Sequence, residues 1–96
     1  MQRFIDGFSK YLSIEKNVSE HTHRNYISDL MMFKEYVDRE IDIKAIDNLT
    51  VRGFLGLLSK KGEKKSSIAR RLSTLRTFFK YLHREGYIET NPAKAV

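Results

Sequence analysis

Between Lys60 and Arg84 the chain carries nine cationic side chains: Lys60, Lys61, Lys64, Lys65, Arg70, Arg71, Arg76, Lys80 and Arg84. A single acid, Glu63, stands among them. Hydroxyls are interleaved with the cations at Ser66, Ser67, Ser73, Thr74 and Thr77. Guanidinium, ammonium and hydroxyl groups are the donors that contact phosphate oxygens and base edges. A dense positive field also attracts polyanions, because neutralising phosphates releases condensed counterions. A solvated face that merely keeps the domain dissolved is the competing reading. The interleaved hydroxyls favour nucleic acid.

The field is local. The 96 residues hold 18 Lys and Arg against 12 Asp and Glu, for a net charge of +6. Residues 1–59 have a net charge of −1 and residues 60–96 a net charge of +7. A smaller donor group, His21, Thr22, Arg24 and Asn25, falls where a second helix is expected to begin. Backbone N–H groups are unpaired at such a point, and a phosphate is favoured there. The candidate DNA-binding set is therefore His21, Thr22, Arg24, Asn25, Lys64, Lys65, Ser66, Ser67, Arg70, Arg71, Ser73, Thr74, Thr77 and Lys80.

Other chemistries find little support. With no cysteine there is no disulfide, thiolate metal site or thiol nucleophile. His21 and His23 point to different sides of a helix and lack a third ligand, so no metal is expected. His83 reads as a surface residue near a helix end, where positive charge suits the dipole. None of the five tyrosines sits in a phosphate-gripping constellation with acid–base partners. Neither a cofactor nor an enzymatic activity is expected of this chain alone. No apolar run approaches the ~20 residues of a spanning helix, and no signal peptide is visible. The expected location is the cytoplasm.

Four stretches have the apolar spacing of amphipathic helices. The first, about Arg3 to Glu15, lines up Phe4, Phe8, Tyr11 and Leu12. Ser19 caps a second, to about Arg39, with Thr22, Tyr26, Leu30, Phe33 and Val37 on its core stripe. Residues 40–48 read as a connector, with a short extended piece through Ile41, Ile43 and Ile46. Thr50 is expected to cap a third helix to about Ser59, burying Phe54, Leu55 and Leu58. Gly53 and Gly56 weaken this helix, and their expected compensation is close approach to a neighbour. After the 60–65 loop, Ser66 is expected to cap a fourth helix to about Glu85. Its stripe is Ile68, Leu72, Leu75, Phe79 and Leu82, and Gly86 stops it. Opposite lie Arg70, Ser73, Thr74, Thr77, Tyr81 and Arg84, with Arg71 and Arg76 on the flanks. Asp29, at the edge of the second helix, is expected to orient Arg71 or Arg76. The fold class is all-α, a compact four-helix bundle.

The run Ser67-Ile68-Ala69-Arg70-Arg71-Leu72-Ser73-Thr74-Leu75-Arg76-Thr77-Phe78-Phe79-Lys80-Tyr81-Leu82, followed by Gly86-Tyr87-Ile88 and Asn91-Pro92-Ala93, resembles the core-binding domain of tyrosine recombinases of the phage-integrase family, Xer-type members above all. Ser19, Thr22, Tyr26, Asp29, Leu30 and Phe33 resemble its second helix, and Phe8, Tyr11, Leu12 and Glu15 its first. The resemblance implies a SAM-like bundle whose second and fourth helices cross the major groove near the crossover site, as one half of a C-shaped clamp. It also implies that residues 1–90 are the DNA-binding domain and that 91–96 begin a linker to an absent C-terminal catalytic domain. That domain would carry the nucleophilic tyrosine. The implied partners are double-stranded DNA and further recombinase subunits, a tetramer on two DNA segments, with the isolated domain monomeric. The alternative is a helical protein-interaction domain using Met31, Met32 and Tyr36. An independent helix-turn-helix regulator ranks lower, because the 60–65 loop exceeds that motif's three- to four-residue turn.

Overall fold

Four helices form in the computed structural model, which describes residues 1–96: α1 (Gln2–Ile14), α2 (Glu20–Tyr36), α3 (Asn48–Lys60) and α4 (Lys65–Arg84). There is no strand, and the bundle measures 36 × 29 × 24 Å. The all-α expectation holds. Helix α4 packs against each of the other three helices, which makes it the spine of the bundle.

The helix boundaries follow local hydrogen bonding. Ser19 caps α2 as expected, its hydroxyl accepting from the Thr22 N–H at 3.1 Å. Asp47, not Thr50, caps α3, because its carboxylate accepts from both the N–H and the hydroxyl of Thr50 at 2.9 and 2.8 Å. Those two bonds hold the Asp47 carboxyl below its ordinary 3.8. Lys64, not Ser66, occupies the cap position of α4 and provides no side-chain cap bond. Helix α2 ends at Tyr36, short of Arg39, because Val37 turns extended and buries its side chain. The connector forms a 3₁₀ turn, Ile43–Ala45, and not an extended piece; a three-residue step puts Ile43 and Ile46 into the core together.

Two glycines close helices in the same way. Gly86, at φ +82°, lets Tyr87 N–H reach the Leu82 carbonyl and its own N–H reach that of His83. Gly62, at φ +88°, does the same for α3, so that Glu63 N–H bonds the Leu58 carbonyl. The α3–α4 connection is then only Lys61–Lys64. That length falls within the helix-turn-helix range, so loop length does not exclude that motif.

Phe8, Phe33, Phe54, Phe78 and Phe79 are fully buried. They meet edge-to-face, Phe8 on Phe78 at 5.4 Å and Phe33 on Phe54 at 5.2 Å, geometries that add to the area they bury. Serving three neighbours widens the buried stripe of α4 to Thr74, Leu75, Phe78, Phe79 and Leu82, while Ile68 and Leu72 are only half-buried. Thr74 and Tyr81, read as outward, therefore turn inward. Thr74 is buried, and Tyr81 lies half-buried against Phe8 and Tyr11 of α1. Thr22, read as core, is exposed, while Ile5 is buried and Phe4 and Leu55 are half-buried.

The α3 glycines divide. A Cβ on Gly53 would lie 2.4 Å from the Tyr36 hydroxyl, whereas one on Gly56 would meet nothing within 4 Å. Gly53 is the close approach that was expected, and Gly56 is not. Gly56→Ala should raise stability by about 0.5–1 kcal/mol through helix propensity alone. Gly53→Ala should gain less or lose, because the Tyr36 ring must move. Urea denaturation of the two variants checks the difference.

The depressed acidity of Asp47 sets a sign for pH dependence. A carboxylate acidified by folding contributes stability above its unfolded value, near 3.8, and loses it as pH falls through the lower folded value. Asp47→Asn retains a capping oxygen and has no charge to lose. Its melting temperature should fall less than the parent's between pH 5 and pH 3, as followed by circular dichroism.

Candidate nucleic-acid interface

Asp29 is 1% exposed and faces α4 from the third turn of α2. Its Oδ1 accepts from Arg70 Nη2 and Arg71 Nη1, each at 2.8 Å, and its Oδ2 accepts from the Thr74 hydroxyl at 2.8 Å. A buried carboxylate is tolerable only when paired and hydrogen-bonded. Here three donors on two successive turns of α4 meet that need, and no buried side-chain polar atom anywhere in the chain lacks a partner.

The two arginines differ. Arg71 is 13% exposed and also donates through Nε to Glu63 at 3.0 Å. Both its partners are acids, so it is committed internally, and it ties the turn before α4 to the α2–α4 seam. The left-handed Gly62 is what carries Glu63 into reach. Arg70 is 49% exposed. Its guanidinium lies at the lip of a hollow of about 180 Å³ between α2 and α4, lined also by Thr22, Asn25, Tyr26, Asp29, Ser73 and Thr74. The α2 start and the α4 face are thus brought together. The expected Asp29–Arg71 pair is present, whereas Arg76 bonds elsewhere.

Along α4, Arg70, Ser73, Thr77 and Lys80 follow at steps of three, four and three and form one stripe. Arg70, Ser73 and Lys80 are exposed, and Thr77 is half-buried with its hydroxyl on the Ser73 carbonyl at 3.0 Å. At the start of α4, Lys64, Lys65 and Ser66 are exposed and Ser67 half-buried. With no side chain capping this end, its first-turn N–H groups open between two lysines, a setting suited to an anion. The α2 start is less open, since Ser19 takes the Thr22 N–H. Around it, Arg24 pairs loosely with Glu20 at 3.5 Å and His21 meets Asn25 at 3.3 Å. His23 turns the other way and hydrogen-bonds Ser9 of α1 at 2.8 Å. No three His, Cys, Asp or Glu side chains are placed to hold a metal.

Burial first, then the charge of Glu85, pushes the Tyr81 phenol above its ordinary 10.0. Arg84 stacks over Tyr11 and pairs with Glu15, closing the α1–α4 edge. Of a second polar flank of α4, at Arg76, Lys80 and His83, the sequence reading placed only Lys80 in the DNA-binding set and did not join the three as one group. Its four- and three-residue spacing was the available signal.

Residues 5–86 match the family described as phage integrase, N-terminal SAM-like domain. Curated relatives agree. The chain is 43% identical over its whole length to the tyrosine recombinase XerC of Syntrophus aciditrophicus, covering 34% of that protein. Over 99% of its length it is 38% identical to the tyrosine recombinase XerC of Thermodesulfovibrio yellowstonii, covering 31% of it. It is 40% identical throughout to that of Vibrio vulnificus, again covering 31%. The chain thus spans about a third of the length of these relatives. No solved structure matches it.

Removing the shared carboxylate leaves a largely buried guanidinium short of an anion. Asp29→Ala should cost about 3 kcal/mol or more, and Thr74→Val about 1.5 kcal/mol, as befits a hydrogen bond to a charged group. Arg70→Ala should cost less than about 1 kcal/mol, because its head is half in water. Urea melts of the three variants test this order.

Proposed function

The chain belongs to the phage integrase N-terminal SAM-like domain family, and from that membership we propose that it is the duplex-DNA-binding domain of a site-specific tyrosine recombinase, one arm of a clamp near the crossover site. Residues 1–90 form the binding domain and residues 91–96 lead toward a catalytic domain. That domain performs the strand breakage and rejoining, and this chain alone has no such activity. In the whole protein further subunits complete a tetramer on two DNA segments, while the isolated domain is a cytoplasmic monomer. No helix is long and apolar enough to cross a membrane.

The observation that carries the reading is the meeting of the Thr22–Asn25 start of α2 with Arg70 and Ser73 of α4 around one hollow, on a helix whose uncapped start is flanked by exposed lysines and whose polar stripe runs on to Thr77 and Lys80. The carboxylate of Asp29 holds Arg70 at the lip of the shared hollow with part of its donor fork still facing water. Lys64 and Lys65 are exposed and appear in none of the ion pairs. Arg71 and Thr74, both engaged by Asp29, act from beneath as the scaffold of this surface. His21 and Arg24 reach phosphates from the α2 side. The protein-interaction alternative is weaker, since Met31 and Met32 pack half-buried against the core and Tyr36 alone is exposed.

Binding to a duplex should be weak and strongly salt-dependent. For about five neutralised phosphates the log–log salt slope is about −4 to −5, at ~0.9 per phosphate. Lys64→Ala/Lys65→Ala should weaken binding and flatten that slope by about two, and Arg70→Ala should weaken it while the domain stays folded. Anisotropy titrations at several salt concentrations decide. Salt-insensitive binding, or none at low salt, overturns the reading. Self-association in sedimentation without DNA affinity would favour the alternative.

A further inference from the structure

The segment after α4 does not leave the bundle directly. Arg76 Nε donates to the Ala93 carbonyl at 3.1 Å, and its Nη2 donates to the Val96 carbonyl. Asn91 returns the contact, its amide donating to the Arg76 carbonyl at 3.1 Å while its Oδ1 accepts from the Ala93 N–H at 2.9 Å. Ala93 is wholly buried. One guanidinium thus straps residues 91–96 along the flank of α4.

The strap builds a concavity. Arg76, Thr77, Lys80 and His83 of α4 and Asn91 and Lys94 of the strapped segment line a hollow of about 620 Å³. No acid and no apolar side chain lines it. Lys80, His83 and Lys94 are exposed and appear in none of the ion pairs. Sites for small organic molecules are predominantly apolar, and this one offers such a ligand nothing. Several cationic or hydrogen-donating groups facing one space without a carboxylate suit a phosphate.

We propose that this hollow is a second phosphate site on the DNA-binding face, with Lys80, His83 and Lys94 as its ligands and Arg76 as the positioning residue that brings Lys94 to it. The proposal rests on the duplex-binding reading and extends it beyond the helices to the segment that follows them. Ten residues separate Arg70 from Lys80, about 15 Å along the axis of α4. Each strand of a duplex carries one phosphate per ~3.4 Å of axis, so the two hollows address different phosphates.

The test titrates a fluorescent duplex of about 20 base pairs with the 96-residue chain across a potassium chloride series. Lys94→Ala should weaken binding about three- to tenfold and flatten the salt slope by about one, the signature of one lost phosphate contact. Arg76→Lys keeps the charge but lacks the Nε–H that holds the Ala93 carbonyl. It should weaken binding by a similar factor, with unchanged helicity by circular dichroism. Adding Lys94→Ala to it should cost less than a further twofold. A parent that binds while Lys94→Ala leaves the slope unchanged overturns the second site alone. So does full multiplication of the Arg76→Lys and Lys94→Ala losses. A parent that binds no duplex at low salt overturns this site and the duplex-binding reading together.

Discussion

The Asp29 carboxylate is the contact on which the arrangement of the bundle turns. Moving an anion out of water costs several kcal/mol unless donors replace the solvent. Here the replacement comes from Arg70, Arg71 and Thr74, all on one helix. Apolar packing between α2 and α4 would tolerate small slides and rotations, since the hydrophobic effect has no direction. A carboxylate with donors at 2.8 Å on both oxygens does not. A slide of one residue along α4 would pull these donors off the oxygens and strand a buried charge. The pair Arg71–Glu63 extends the constraint to the turn before α4, so α2, the turn and α4 share one register.

That register divides the cations of the chain into two populations. Arg71 faces two acids, and Arg76 faces the backbone carbonyls of the strapped segment. Arg84 closes on Glu15 and Tyr11. Each is an arginine, and each uses a planar fork to satisfy more than one acceptor, which a lysine ammonium does less well. The lysines at 60, 61, 64, 65, 80 and 94 are all exposed. The net charge of +7 over residues 60–96 therefore overstates the guanidinium available to a ligand and leaves the ammonium groups in place. A field dominated by lysine gives attraction and salt dependence more than base discrimination. Arg70, though held by Asp29, keeps its head half exposed beside Asn25 and Ser73, as Arg84 does at the far end of the helix.

Much of this was legible in the residues, for physical reasons that also mark where legibility ended. Ser19 and Gly86 read correctly because capping is local: a hydroxyl beside an N-terminus, a residue free to take positive φ. The α4 cap failed because Ser66 satisfies the local rule, yet the helix begins earlier, where Glu63 is drawn to Arg71. The helical wheel gave the direction of the α4 core but not its width, since width depends on how many helices α4 meets. Thr74 and Phe78 were lost to that, and Tyr81 was turned to the wrong side. Asp29 was recognisable as a boundary acid, but the choice among Arg70, Arg71 and Arg76 depends on rotation between two helices. Gly53 and Gly56 look alike in sequence and differ only in that Tyr36 ends its helix above one of them.

The two arginine attachments also explain how one helix serves as core and as surface. An α4 buried on one stripe could rotate by some tens of degrees against three apolar neighbours at modest cost, carrying its polar stripe with it. Asp29 grips one edge of α4 near its start, through Arg70, Arg71 and Thr74. The strapped segment grips the other edge further along, through Arg76 and Asn91. Holding both edges removes the rotation that apolar packing leaves open. What remains outward, between the edges, is Arg70, Ser73, Thr77 and Lys80. The polar surface is thus fixed by polar contacts at its own margins, and the phenylalanine core beneath supplies stability without having to supply aim.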